Sequence, residues 1–159
     1  MARWTIGMMV VGIAFVSGCE SGGGATATVS IRNGFGEMPP WTICHANYRD
    51  VEFGKIAIGA TSGPQKVEAG LDYVLVVAAW KDPDCKPEHC LPIASKNEEE
   101  VVDGQTRTIE VAMANHQGPC PPEGVPPIPQ KQYERILALY PEYGFKPYAD
   151  RATNPQCVK

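Results

Sequence analysis

The sequence predicts a mainly β fold: a small antiparallel β-sandwich with a disulfide-tied C-terminal extension containing one short α-helix. Three observations predict it. Short alternating apolar segments recur from Ala27 to Met113, separated by Gly and Pro breakers. One run, Tyr73 to Trp80, is apolar on both faces, which marks a central strand covered on both sides. Six of the fifteen prolines then fall between Pro119 and Pro129, and a single helical pattern follows.

The elements follow in order. Ala27, Val29 and Ile31 alternate with Thr28 and Ser30, a half-buried strand. Phe35 to Pro40 reads as a loop, with Gly34, Gly36 and Pro39-Pro40 as breakers. Trp41 to His45 is a second strand, and Ile56 and Ile58 resume the period of two. Gln65 to Glu68 is a short strand ended by Gly70. Asp103-Gly104 between Val101-Val102 and Gln105-Thr106 predicts a hairpin, because Asp-Gly tolerates the positive φ of a tight turn. After it, Arg107, Ile109, Val111 and Met113 share one face. Glu98-Glu99-Glu100 reads as a solvated strand edge that discourages aggregation.

Two stretches, Val67 to Val76 and Asp103 to Val111, resemble strand pairs of transthyretin-like and carboxypeptidase-regulatory-like β-sandwiches. The resemblance spans residues 26–114. It implies a module that binds or scaffolds rather than catalyses, and it bears on fold alone.

The N-terminus has a positive Arg3, an apolar core from Thr5 to Val16 and the small pair Ser17-Gly18 before Cys19. The apolar run is shorter than the roughly 20 residues that span a bilayer. Val16-Ser17-Gly18-Cys19 resembles a bacterial lipoprotein signal. The resemblance implies lipidation of Cys19 and stable anchoring by three acyl chains, since one chain holds weakly. It also implies the outer membrane, because Glu20 rather than Asp follows the modified cysteine. The organisation is then a signal peptide over 1–18, a lipidated glycine-rich tether over 19–25, a β-sandwich over 26–114 and an extension over 115–159.

In the extension, Pro119 to Pro129 runs extended and Gln130 to Tyr140 reads as a helix. Tyr133, Ile136, Leu137 and Tyr140 fall at i, i+3, i+4 and i+7, one apolar face suited to packing on the sandwich. Pro141 ends it. Tyr140, Tyr143, Phe145 and Tyr148 form an aromatic tail that either contacts a partner or seals the domain edge.

With Cys19 lipidated, five cysteines remain for an oxidising compartment: Cys44, Cys85, Cys90, Cys120 and Cys157. Local pairing joins Cys85 to Cys90 and Cys120 to Cys157, leaving Cys44 as the free thiol. Chain entropy puts these staples at about 2 and about 4 kcal/mol. The rival arrangement pairs Cys44 with Cys85 or Cys90.

The segment from Asp82 to Cys90 is the one place where metal chemistry is suggested, through Asp82, Asp84, Cys85, His89 and Cys90. The spacing matches neither a zinc motif nor a calcium loop. A thiol nucleophile at Cys44 beside His45, or at Cys120 beside His116, is a further alternative. The chain shows no Gly-x-Ser-x-Gly elbow, phosphate-binding Gly-rich loop or His-Glu-x-x-His. A net charge of −4 without a basic stripe excludes ordinary nucleic-acid binding. The expected function is a non-enzymatic envelope lipoprotein without cofactor, serving as a binding or structural module. Its partners are the membrane, through Cys19, and an envelope protein, peptide or glycan.

Overall fold

The structure, a computed structural model, describes residues 24–35, 40–112 and 128–147. It is mainly β. The strands are β1 (Thr26–Asn33), β2 (Trp41–Tyr48), β3 (Val51–Glu52), β4 (Gln65–Glu68), β5 (Gly70–Asp72), β6 (Leu75–Trp80), β7 (Cys90–Ala94), β8 (Glu99–Val101) and β9 (Thr106–Val111), followed by the helix α1 (Gln130–Leu139). They form one sheet of order β4-β1-β9, a second of order β3-β2-β6-β7 and a small pair β5-β8.

The two larger sheets face each other. Ala27, Val29, Ile31, Val67, Ile109 and Val111 from the first meet Ile43, Ala46, Tyr48, Val76, Ala78 and Ile93 from the second. The outer face of the second sheet is covered as well. Leu75, Val77, Ala79 and Ala94 pack against Ile128, Tyr133, Ile136 and Tyr140. The molecule therefore has three layers, with β6 in the middle one. That is why the run ending at Trp80 is apolar on both faces, and why Leu75 to Ala79 are all fully buried.

The predicted helical face is the one that docks. Tyr133, Ile136 and Tyr140 are buried, Leu137 packs partly against them, and the helix gives way to a 3-10 turn at Pro141. Arg135 fixes its orientation with a two-pronged grip on Asp72, at 2.7 and 3.0 Å, and a 3.2 Å contact to Asp50.

The Asp103-Gly104 turn forms, with Gly104 at φ +71°, but the expected hairpin does not. β8 pairs with β5, and β9 runs parallel to β1. The cause lies in the turn itself. Asp103 accepts from the Thr26 amide at 2.9 Å, and the Gly104 amide donates to the Thr26 carbonyl at 2.8 Å. The turn is thereby stitched to the start of β1, and β9 leaves alongside it.

Three strands carried too little pattern to be predicted. β3 is two residues long, after a two-residue turn in which Arg49 and Asp50 both take positive φ. β5 is three residues long, with Leu71 exposed between two half-buried positions. β7 contains Pro92, which a sheet-edge position tolerates because no ladder donor is lost there. Ile56 makes only an isolated bridge to Ile43, and Ile58 is exposed.

Truncating Ile136 to Ala should cost about 2–5 kcal/mol in urea unfolding, since it opens a cavity in the outer layer. Leu139→Ala, on the exposed side of the same helix, should stay within about 0.5 kcal/mol. Equal losses at the two positions would mean that α1 is not the cover of the second sheet.

Candidate functional site

The site grows from an irregularity in β2. Its pairing with β6 shifts register between Ile43 and His45, a β-bulge that leaves Cys44 opposite no partner of its own. Cys44 and His45 consequently both reach the helix-covered layer. Cys44 joins that core, and the His45 ring lies 4.7 Å from Tyr140. Glu52 accepts from the Tyr140 hydroxyl and faces His45 Nδ1 at 3.2 Å. Burial first, and the Glu52 carboxylate second, push the Tyr140 phenol well above its ordinary range.

Cys44 is bonded to Cys85, with Cα atoms 5.7 Å apart. This corrects two expectations: Cys85 does not pair with Cys90, and Cys44 is not the free thiol. Among the described cysteines, Cys90 is free and buried. The physical reason is strand placement. Cys90 opens β7 opposite Ala79, which sends its side chain into the outer layer, and the bulge brings Cys44 to the same place. The Cys90 sulfur stands 3.9 Å from that of Cys44 and donates to the Lys86 carbonyl at 3.2 Å. Burial, reinforced by Asp82 and Glu88, pushes its pKa up to about 11, so it stays a protonated thiol near neutrality. Cys19, Cys120, Cys157 and His116 lie outside the described residues.

The loop from Lys81 to His89 is organised by one carboxylate. Asp82 accepts from the amides of Asp84 and Lys86, each at 2.9 Å, and from His89 Nδ1 at 2.9 Å. The His89 hydrogen bond, then the backbone amides, hold its pKa down at about 2. A 3-10 turn over Pro87–His89 follows, and Lys81 and Cys85 occupy the left-handed region at φ 52° and 63°.

This loop does not assemble the metal set suggested by its sequence. Cys85 is committed to a disulfide, Asp84 is exposed, and Cys90 points into the core. Among the described residues no group of three or more His, Cys, Asp or Glu side chains is placed to hold a metal ion. The aromatic tail is also redistributed. Tyr140 is buried, and Tyr143 and Phe145, stacked at 5.6 Å, pack partly against the outer core. Tyr140 is thus a core residue rather than a partner contact. Tyr148 lies outside the described residues.

What the loop does form is one wall of a cleft of about 200 Å³, lined by Trp41, Trp80, Glu88, His89 and Leu91. Trp41 and Trp80 are cross-strand partners at the ends of β2 and β6. Trp41 is buried, Trp80 is 50% exposed, and Lys81 Nζ sits 4.9 Å from the Trp80 ring centroid. The two tryptophans were legible only as strand residues, because their pairing depends on a register that the bulge sets. Comparison with protein-family models, curated proteins and solved structures finds no match for this chain.

Two outcomes check this geometry. A non-reducing peptide map should contain a Cys44–Cys85 link, with Cys90 alkylated only after unfolding; a Cys85–Cys90 link would refute it. For a separation of 41 residues, chain entropy puts the cross-link at about 4 kcal/mol. The Asp82 carboxyl should titrate near 2 rather than at its ordinary 3.8. Because the folded pKa is the lower one, its contribution is complete above about pH 4 and is lost as pH falls through about 2. Carboxyl NMR shifts through an acid titration read this directly, and a midpoint near 4 would contradict the network.

Proposed function

We propose that the chain is a lipid-anchored envelope protein whose β-sandwich is a non-catalytic binding module, with the cleft beside Trp80 as its binding site. The cleft carries this reading. A half-exposed indole and a histidine oriented by a carboxylate stand together on rigid supports. β2 and β6 hold the tryptophans, and the Cys44–Cys85 bond ties the loop beside them to β2. Ligand sites combine apolar faces with a few placed polar groups, and these residues have that composition.

The described thiols favour binding over thiol chemistry. Cys44 and Cys85 are joined, and the pKa of Cys90 is raised rather than depressed. A disulfide suits an oxidising compartment and so supports an address beyond the inner membrane. The anchor is Cys19, on the strength of Val16-Ser17-Gly18-Cys19, and Glu20 favours the outer membrane.

Two measurements test the two halves of the reading. Labelled palmitate should enter the protein in cells and be lost with Cys19→Ser; an unlabelled wild-type protein would remove the anchor. NMR shift mapping of the full chain with mixtures of small glycans, peptides and amino-acid amides should perturb residues around Trp80 and His89 first. Perturbations clustered elsewhere, or none, would remove the site.

A further inference from the structure

Trp80 already holds a cation. Lys81 follows it in a left-handed conformation and lays its ammonium over the indole, 4.9 Å from the centroid. Among the described residues Lys81 makes no ion pair, although Glu88, Asp84 and Asp82 share its loop.

Among the described residues lining the cleft, Glu88 carries the one fixed charge. A Glu88 carboxylate can only accept hydrogen bonds. His89 Nδ1 faces the Asp82 carboxylate, which only accepts, so Nδ1 carries a proton. Neither Glu88 nor His89 Nε2 has a hydrogen-bond partner among the described residues. The cleft offers an indole face and an unspent carboxylate, and the groups that complement both are N–H donors carrying positive charge.

We propose that the Trp80 cleft binds the ammonium or guanidinium group of a basic side chain on a partner peptide, with Lys81 as the chain's own competitor for the indole face. The inference rests on the reading of this cleft as the binding site. A net charge of −4 favours approach of such a partner. An anionic ligand would meet Glu88 directly. A sugar stacks on an indole equally well, but it brings no positive charge to pair with the Glu88 carboxylate.

The test is an NMR titration of the full chain, following the Trp80 indole and the His89 ring. The probes are the amides of acetyl-lysine and acetyl-arginine, with tetramethylammonium and methyl glucoside as controls. Saturable shifts with the lysine and arginine probes are expected, with weaker binding of both controls. Glu88→Gln should weaken the response. Lys81→Met should strengthen it, by roughly two- to fivefold if an exposed cation–π contact is released. A purely structural Lys81 would leave binding unchanged or weaker, and either result would overturn the proposal. Tetramethylammonium binding as tightly as the lysine probe would overturn it too, since hydrogen bonding to Glu88 would then play no part. Shifts with methyl glucoside alone would refute the cation and leave the cleft as a binding site. No shift with any probe would refute the cation, and a silent cleft under the broader ligand mixtures would remove the site itself.

Discussion

From Leu75 to Ala79, β6 has no face turned to water, and the rest of the architecture follows from that constraint. Val76 and Ala78 need the first sheet, while Leu75, Val77 and Ala79 need a second cover. A two-layer sandwich would leave the second set exposed. The helix supplies the missing layer through Tyr133, Ile136 and Tyr140, so the extension belongs to the same folded unit as the strands. Arg135 adds direction to this contact. Its fork matches the Asp72 carboxylate and sets the angle at which the apolar face lands.

The bulge at Cys44 couples that layering to the candidate site. In a regular strand Cys44 and His45 would point to opposite sides, and one of them would enter the inner core. The extra residue turns both outward. One becomes the anchor of a covalent tie to the loop after β6, and the other becomes part of the seat for Tyr140 and Tyr143. The same loop is then tightened from within by Asp82, whose three donors belong to Asp84, Lys86 and His89. His89 therefore owes its position to two independent restraints, and neither is in the cleft itself.

Much of the fold was legible because it is written in local periodicity. The alternation over Ala27 to Ile31, the two-sided run before Trp80 and the spacing of Tyr133, Ile136 and Tyr140 each report one element and the face it buries. What depends on pairing between distant segments was not legible. Asp103-Gly104 signals a turn, yet nothing near it reveals that Thr26 captures the turn and sends β9 along β1. The disulfide failed for a related reason. Nearness in sequence favoured Cys85 with Cys90, whereas the bulge in β2 turned Cys44 outward, where it bonds to Cys85. Of the site, the Asp82–Cys90 segment was singled out, but for metal chemistry. The two tryptophans opposite it left no signal, because cross-strand neighbours 39 positions apart share no pattern.

The odd cysteine follows from the same geometry. A free thiol 3.9 Å from a disulfide sulfur invites exchange, and exchange requires the thiolate. Cys90 is buried against the outer core, donates to the Lys86 carbonyl and faces the negative charges of Asp82 and Glu88. Burial first, then those two charges, raise its pKa to about 11. At neutral pH the protonated thiol prevails and the nucleophile is scarce. The acidic loop that presents His89 to the cleft thus also protects the bond that holds the loop in place. Removing charge from that loop to alter ligand binding would, by the same argument, bring Cys90 closer to reactivity.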